Sequence, residues 1–442
     1  MSSEALTAAA TTATGRTRFT IVAMLFFITV VNYADRATIA IAGPQASRDL
    51  GISAIQMGYI FSAFGWSYVI GQVPGGRLLD RFGSKTVYVW SILLWSIFTF
   101  LQGGVLFTST AVAIYLLFGL RFLVGFAEAP SLPANSRIVA AWFPDRERGT
   151  AAAIFNSAQY FATAIFAPLM GWIAHALGWP YIFFIMGGVG IVTALIVVKT
   201  VYAPRNHPRL SDAELAYMKD GGALVEMDTT AAPTRSGAET WLALKSLLSS
   251  RMMVGIFLGQ YCISTLTYFF LTWFPVYLVQ QRGMSILQAG FVASIPALCG
   301  FGGGVLGGIF SDALLRQGYS LTAARKIPIV LGMLLSSTMV LCNYVDLQWL
   351  VVTIMALSFF GKGIGALGWA VMSDTAPPQT AGLSAGLFNM FGNIASISTP
   401  IAIGYIIAFT GSFNGALIFV GANALVAVLS YLVIVGKIER LT

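Results

Sequence analysis

Long apolar runs, separated by short polar segments, recur along the whole chain. Twelve such runs begin near residues 19, 54, 86, 110, 149, 178, 252, 286, 327, 348, 381 and 411. Each is close to the length of about 20 residues that an α-helix needs to cross a lipid bilayer. The pattern therefore predicts an all-α polytopic membrane protein with 12 transmembrane helices.

One long polar segment, residues 203–248, divides these runs into two groups of six. We therefore expect a six-helix bundle at 19–202, a cytoplasmic linker at 203–248 and a second six-helix bundle at 249–436. Residues 1–18 and 437–442 are then expected to be cytoplasmic tails, and the first tail to be disordered because it is polar. Within the linker, Ser211 and Glu214 have the spacing of a capping box that opens a short surface helix.

Sequence repeats relate the two groups of helices. Residues 73–80 (Val-Pro-Gly-Gly-Arg-Leu-Leu-Asp) return as residues 305–312 (Val-Leu-Gly-Gly-Ile-Phe-Ser-Asp), an offset of 232 positions. Pro168 and Pro400 have the same offset, and the Phe-Asn pair that ends at Asn156 returns 233 positions later. These matches predict two pseudo-symmetric halves, an architecture in which transporters bind substrate between the halves near the bilayer midplane.

Composition and charge agree with a membrane protein. The 442 residues are 57% hydrophobic and 10% charged, whereas soluble domains carry about 25% charged residues. The net charge is +8, but 20 of the 25 Lys and Arg residues fall on one side of the predicted membrane. Because basic residues collect on the cytoplasmic side, both termini are predicted to be cytoplasmic. The positive charge therefore indicates topology and not a nucleic-acid partner.

Charged residues lie inside three of the apolar runs, and the tenth of these runs contains Lys362. Asp35 and Arg36 are neighbours in the first run, on one helix face with Asn32, and Arg121 and Glu128 lie two turns apart in the fourth. Ionisable side chains at membrane depth usually mark ion, proton or substrate pathways. The alternative is a polar contact that only joins helices. Because Arg121 and Glu128 are too far apart to touch, Asp35 and Arg36 are their predicted partners.

Polar stripes occur on further predicted helices. Residues three, four or seven positions apart share one helix face and can line a cavity together. The stripes comprise Asn156, Gln159 and Thr163; Gln260, Ser264 and Thr267; Asn389, Asn393 and Ser396; and Lys362, Trp369 and Ser373. The glycine-rich run 300–308 instead predicts close helix packing, because it lacks the Lys-Ser/Thr ending of a phosphate loop.

The loop after the second run carries a longer motif. The pattern G-x-x-x-D-[RK]-x-G-x-[RK] is met by Gly76, Asp80, Arg81, Gly83 and Lys85. In this position the motif resembles the loop signature of the major facilitator superfamily, and Asp312 marks its counterpart in the second half. The resemblance implies a structural and gating loop between the second and third helices.

Further motifs narrow this resemblance. The strings at residues 32–38 (Asn-Tyr-Ala-Asp-Arg-Ala-Thr), 57–64 and 269–275 resemble the anion:cation symporter family of bacterial sugar-acid transporters. The resemblance to the proton-coupled D-glucarate/D-galactarate transporters of that family rests on residues 128–131, 137–144, 151–160, 284–287 and 361–369. It implies that sugar-acid anions are imported together with protons, by alternating access, across a bacterial inner membrane.

The same resemblance implies the roles of individual residues. Asp35 and Glu128 would take up and release the coupled protons. The substrate site would be lined by Arg36, Tyr33, Tyr68, Gln159, Gln260, Trp369, Ser373 and Asn389. The polar helix faces add Arg121, Thr267, Lys362 and Asn393 to this site. The sequence leaves open which of the amides Gln159, Gln260, Asn389 and Asn393 distinguishes glucarate from galactarate.

Lys362 stands where the pattern of galactonate-transporting relatives has an asparagine. An aldarate carries a carboxylate at each end, and a desolvated carboxylate without a partner is strongly unfavourable. Arg36 would hold one end with two hydrogen bonds, and Lys362 would hold the other. The alternative is that Lys362 only anchors its helix or extends towards an aqueous vestibule.

Other functions fit the sequence less well. The nearest alternatives are a transporter of monocarboxylate sugar acids such as galactonate and an organic-anion exchanger, although an exchanger gains nothing from two intramembrane carboxylates. A receptor usually needs a long cytoplasmic extension, a channel disagrees with a site spread over two repeats, and an enzyme needs a nucleophile–base pair or metal cluster. No metal-binding spacing is formed by Cys262, Cys299, Cys342, His175 and His207. We therefore expect a monomeric transporter without cofactor or metal, whose partners are a sugar-acid anion, protons and the lipid bilayer.

Overall fold

The structure, a computed structural model, describes residues 15–226, 237–377 and 380–441. These residues form α-helices joined by short connections, and no strand occurs among them. The first helices are α1 (Thr17–Asp49), α2 (Ala54–Phe82), α3 (Ser84–Gly103), α4 (Thr110–Glu128), α5 (Ser131–Trp142), α6 (Asp145–Ala176), α7 (Trp179–Thr200) and α8 (Asp212–Asp220). The remaining ones are α9 (Gly237–Ser249), α10 (Arg251–Tyr268), α11 (Phe274–Gln280), α12 (Ile286–Arg316), α13 (Leu321–Ser337), α14 (Gln348–Ile364), α15 (Gly368–Thr375), α16 (Ala381–Thr410) and α17 (Asn414–Leu429).

The predicted all-α membrane architecture is confirmed. Within the described residues, ten helical segments are long and apolar enough to cross a membrane. The second and fifth predicted spans correspond to α2 and α6, which have 29 and 32 residues and are also long enough to cross. Both contain several polar residues, which lower their mean hydropathy. Three spans are interrupted, because α4 continues as α5, α10 as α11 and α14 as α15.

Proline explains two of these interruptions. Pro130 and Pro133 follow the end of α4, and Pro275 lies at the start of α11, after a π-helical turn over Phe269–Trp273. Because proline has no N–H to donate, an α-helix cannot continue through it with all its hydrogen bonds. As a result, Glu128 lies at a helix end in the middle of the fourth span.

Two pairs of antiparallel helices join the halves of the molecule. α2 of the first half packs against α16 of the second, and α6 packs against α12. We call the side on which α1 begins the terminal side, and the opposite one the far side. On the far side the helices touch closely: a Cβ at Gly58 would lie 2.7 Å from the carbonyl oxygen of Pro400, and one at Gly171 would lie 3.0 Å from Cα of Gly290.

The same helices separate towards the terminal side. Among the described residues, no atom lies within 4 Å of a Cβ position at Gly308 of α12 or at Gly382 and Gly386 of α16. The halves therefore converge on the far side and diverge on the terminal side, so the space between them opens towards the chain termini.

The linker is attached to the first half through its first helix. The side chain of Ser211 accepts a hydrogen bond from the N–H of Glu214 at 3.2 Å, as a capping box requires. The carboxylate of Glu214 does not complete that box, because it accepts the N–H groups of Thr17 and Arg18, each at 3.1 Å. It also pairs with Nη1 of Arg18 at 3.2 Å. Because α1 begins at Thr17, the predicted boundary after residue 18 falls inside this helix. Residues 1–14 lie outside the described part of the chain.

The glycine run 300–308 permits close packing of α12 on α14, as predicted. A Cβ at Gly303 would overlap the carbonyl oxygen of Phe360, and one at Gly307 would lie 2.5 Å from the carbonyl oxygen of Ile364. Reciprocally, a Cβ at Gly363 would overlap the carbonyl oxygen of Gly300. Small residues of this kind let membrane helices approach each other at backbone distance. They also bring Lys362 close to the centre of the molecule.

Candidate functional site

A cavity of about 270 Å³ lies between the two halves. The first half lines it with Tyr33, Arg36, Tyr68, Leu132, Gln159 and Tyr160. The second half lines it with Gln260, Ile263, Ser264, Thr267, Tyr268, Leu271, Lys362, Ala366, Trp369, Asn389, Gly392 and Asn393. A smaller adjoining cavity of about 60 Å³ shares Tyr33, Gln159, Thr267 and Lys362 with it.

Ten of the twelve residues predicted to bind substrate line this cavity. Arg121 and Ser373 do not line it. Arg121 is buried behind Arg36, and its Nη2 donates a hydrogen bond to the backbone carbonyl of Arg36 at 3.4 Å. Ser373 is exposed on α15, one turn beyond Trp369 towards the terminal side.

Arg36 is surrounded by aromatic rings and one carboxylate. Its Nε lies 2.8 Å from Oε2 of Glu128, and both side chains are buried. Its guanidinium carbon lies 4.7 Å from the ring centre of Tyr33, 4.8 Å from that of Phe64 and 4.9 Å from that of Tyr68. Ring faces attract cations, so these contacts orient the guanidinium at the cavity wall. The prediction that Arg36 is a partner of Glu128 is confirmed.

Asp35 points away from the cavity. It is fully buried, and its Oδ2 accepts a hydrogen bond from the hydroxyl of Thr99 on α3 at 3.1 Å. Its other carboxylate oxygen has no hydrogen-bond partner within the described residues, and Nε and Nη1 of Arg121 have none either. The predicted ion pair between Arg121 and Asp35 is therefore not formed. Asp35 and Glu128 occupy different surroundings, one behind the cavity wall and one against its guanidinium.

Lys362 supplies the second cation of the cavity. It lies in the last turn of α14, where the helix dipole favours a positive charge, and it is 7% exposed. Its Nζ lies 5.1 Å from the ring centre of Phe359. Among the residues that the structure describes, no carboxylate pairs with Lys362. Arg36 and Lys362 thus bring positive charge to one cavity from opposite halves.

Amide and hydroxyl groups complete the wall formed by the second half. The hydroxyl of Tyr268 donates to Oδ1 of Asn393 at 3.0 Å, and Nδ2 of Asn393 donates to Oδ1 of Asn389 at 3.2 Å. Gln260 donates to the hydroxyl of Ser264 at 3.4 Å. Sugar hydroxyls both donate and accept hydrogen bonds, as these groups do.

Tyr160, Ser264 and Tyr268 also line the cavity, although the sequence alone does not assign them to the site. Ser264 belongs to one of the predicted polar stripes. Tyr160 and Tyr268 directly follow Gln159 and Thr267 and therefore fall outside the polar stripes. Only their own hydroxyl groups distinguish them from aromatic residues of the core. Of the stripe on α6, Gln159 lines both cavities and Thr163 the smaller one, whereas Asn156 is exposed.

The motif loop lies on the terminal side of the cavity. Asp80 forms an ion pair with Arg137 at the end of the fourth span. Gly83 has a φ of 77°, which a side chain would strain. In the second half, Asp312 lies 3.8 Å from Arg325, which pairs with Asp374 at 2.7 Å. Each motif aspartate thus contacts an arginine on a neighbouring span of its own half.

Gly76 and Arg81 of the motif take no part in these ion pairs. A Cβ at Gly76 would meet open space, and Arg81 is exposed beside the ring of Phe82. All three cysteines are free. The described residues contain no group of histidines, cysteines and carboxylates that could hold a metal ion.

Comparison with known proteins identifies the family of this chain. The sequence profile of the Major Facilitator Superfamily matches residues 25–323. A protein of Bacillus subtilis (strain 168) named "Probable galactarate/D-glucarate transporter GudP" is 64% identical over 423 residues, covering 96% of this chain and 93% of that protein. The "D-galactonate transporter" of Escherichia coli O6:H1 is 40% identical over 428 residues, covering 96% of this chain and 97% of that protein.

The fold also matches solved structures. The crystal structure of a D-xylose–proton symporter superposes with a TM-score of 0.70 at 14% sequence identity, covering 95% of this chain and 98% of that one. At that identity the likeness shows the fold alone. Together with the sequence relatives, it establishes that the chain belongs to the Major Facilitator Superfamily and is a multi-pass membrane transporter, not an enzyme.

Proposed function

We propose that this transporter imports aldarate dianions, namely D-glucarate and D-galactarate, in symport with protons. One observation carries the proposal: two buried cations, Arg36 from the first half and Lys362 from the second, line the same cavity. An aldarate has a carboxylate at each end of a six-carbon chain, so each cation can hold one end. The names of the relatives at 64% identity agree with this substrate class.

Binding of such a dianion would draw the halves together. The cations lie on different halves, and the cavity opens towards the terminal side. A charge left unpaired in a desolvated site is strongly unfavourable, so closure around the substrate is favoured only when both carboxylates are paired. A monocarboxylate such as galactonate leaves Lys362 unpaired in the closed cavity.

Proton coupling would act through Glu128 and Asp35. Glu128 is hydrogen-bonded to Nε of Arg36, so a proton on Glu128 weakens that ion pair and frees the guanidinium for substrate. Asp35, buried behind the wall and bonded to Thr99, provides a second carboxylate. Moving one net charge against 100 mV costs about 2.3 kcal/mol. A dianion that enters with two protons avoids this cost.

We further propose a bacterial inner membrane with both termini in the cytoplasm and a monomer as the working unit. The distribution of basic residues supports this orientation. Since the cavity opens towards the termini, the structure then corresponds to the cytoplasm-facing state, from which substrate is released.

Uptake by proteoliposomes under an imposed inward proton gradient tests the proposal. Uptake of labelled glucarate, galactarate and galactonate is compared between the wild type and Lys362→Asn. The control variant, Lys245→Asn, replaces a lysine that is exposed. We expect accumulation of both aldarates that collapses with a protonophore. Losing one partner of a buried pair costs about 3 kcal/mol, so Lys362→Asn should weaken aldarate uptake on the order of a hundredfold.

Two outcomes would contradict the proposal. Uptake indifferent to the proton gradient but driven by an internal anion would indicate exchange. Equal loss of aldarate and galactonate transport in Lys362→Asn would mean that this lysine does not pair with the second carboxylate.

A further inference from the structure

A row of hydrogen bonds leads from the cavity wall into the contact between the two halves. Tyr268, Asn393 and Asn389 form the part of the row that lines the cavity. Nδ2 of Asn389 then donates to Oε1 of Gln72 at 3.3 Å. Gln72 belongs to α2 of the other half, is half-buried and does not line the cavity.

The row has one direction. The hydroxyl of Tyr268 donates to Asn393, Asn393 donates to Asn389, and Asn389 donates to Gln72. A side-chain amide presents a donor on one atom and an acceptor on the other. The acceptor oxygen of Gln72 therefore determines which way the amide of Asn389 is turned. The amide of Asn393 is held in addition by the backbone carbonyl of Asn389, to which its Nδ2 donates at 2.9 Å. Because the hydroxyl hydrogen of Tyr268 is already donated to Asn393, the oxygen of Tyr268 can only accept a further hydrogen bond.

The backbone contact of α2 with α16 holds Gln72 opposite Asn389. Gly58, Gly65 and Gln72 are spaced by seven residues and so share one face of α2. A Cβ at Gly58 would lie 3.4 Å from Cα of Gly404, and one at Gly65 would overlap the side chain of Ser396. These two close contacts between α2 and α16, on the far side of Gln72, limit how far Gln72 can move relative to Asn389.

We propose that Gln72 is a positioning residue that sets the hydrogen-bonding pattern read by substrate hydroxyls. Glucarate and galactarate carry the same carboxylates and differ in hydroxyl configuration, so the two charges cannot tell them apart. The Asn389–Asn393–Tyr268 row can do so, because each atom is fixed as donor or acceptor by the partner it already has. The inference rests on the proposed aldarate transport and adds a residue outside the cavity to its selectivity.

Competition binding of glucarate and galactarate to the purified protein in nanodiscs tests this role. Gln72→Met keeps the length of the side chain and removes the acceptor, whereas Gln72→Glu keeps acceptor oxygens. Gln317→Leu, at an exposed position on the terminal side, is the control for loss of an amide. We expect Gln72→Met to change the ratio of the two affinities by on the order of threefold or more, because the amide of Asn389 is then free to turn over. Gln72→Glu should restore the ratio of the wild type.

The outcomes separate this inference from the proposed function. If the wild type binds neither aldarate, both are overturned. If it binds both and the ratio stays unchanged in Gln72→Met, only the role of Gln72 is overturned. Loss of folded protein in Gln72→Met would also contradict it, because orienting Asn389 is not a requirement for folding. A lower transport rate for both anions at an unchanged affinity ratio would indicate a purely structural contact.

Discussion

Adjacent residues on α1 face different environments. A single step along a helix turns the side-chain direction by about 100°, so Arg36 lines the cavity while Asp35 points to α3. The guanidinium is held by Glu128 and by aromatic rings, and the carboxylate of Asp35 by Thr99. In the proposed mechanism, substrate binding by Arg36 and proton uptake by Asp35 would therefore use neighbouring residues without competing for the same space.

Neutralising one of the two carboxylates proposed to couple protons should reduce accumulation and leave exchange intact. At a gradient of one pH unit, each coupled proton contributes about tenfold to the accumulation ratio. We expect Glu128→Gln and Asp35→Asn each to lower that ratio accordingly, while counterflow of labelled anion without a gradient continues. Proteoliposomes report both quantities.

The control replaces an exposed carboxylate far from the cavity, in Asp346→Asn, which should behave as the wild type does. A variant of Glu128 or Asp35 that still accumulates substrate to the wild-type ratio would remove that residue from the coupling role.

Among the helices, α12 and α14 illustrate how small residues position a functional group. Glycine on both helices allows backbone contact at Gly363, while Gly361 meets the backbone of α13 at Gly332, and Lys362 lies between these two glycines. The lysine therefore enters the cavity from a rigid backbone, and its long side chain alone has to be ordered when substrate binds.

A bulky residue in this contact should destabilise the fold. Gly303→Leu would force a side chain into the carbonyl of Phe360, and overpacking of this kind costs about 1–3 kcal/mol. Gly302→Leu, on the same helix where a Cβ meets open space, is the matched control. Thermal unfolding in detergent should show a lower midpoint for Gly303→Leu only, and equal midpoints would mean that α12 and α14 are not in backbone contact.

On the scale of the whole molecule, the far-side contacts hold the cavity open towards the termini. α6 meets α12 at Gly171 and Gly290, and α2 meets α16 at Gly58 and Gly404. Rocking of the halves must break these contacts and form others on the terminal side. Packed contacts of this type favour one of two arrangements and not a continuous range.

Enlarging a far-side glycine should shift the balance towards the opposite state. In Gly171→Leu the side chain would meet the backbone of α12 at Gly290 and Ile286, so α6 and α12 should separate there. Hydrogen–deuterium exchange should increase at the far-side ends of these helices and decrease at their terminal-side ends. Gly188→Leu, with no atom near its Cβ position, should leave exchange unchanged. Faster exchange at both ends would indicate unfolding and contradict a two-state rearrangement.

Features that depend on local composition can be predicted from the sequence alone. Twelve apolar runs predicted the all-α membrane fold, because a bilayer requires long apolar helices whatever surrounds them. The loop around Asp80 and the repeat at Asp312 indicated the superfamily. The charges inside the first, fourth and tenth runs identified Arg36, Glu128 and Lys362 as candidate site residues, because a charge at membrane depth is energetically costly and usually marks a functional site.

Which polar side chains meet depends on how the helices pack. A polar stripe identifies one face of a helix but not the helix that lies opposite that face. The sequence therefore does not show that Asn393 lines the cavity whereas Ser373 and Arg121 do not. The partner of Gln72 lies 317 positions away on another helix, and no spacing within α2 indicates it. The direction in which the cavity opens likewise depends on contacts between halves. Those contacts join residues remote in sequence, which a pattern along one chain segment does not specify.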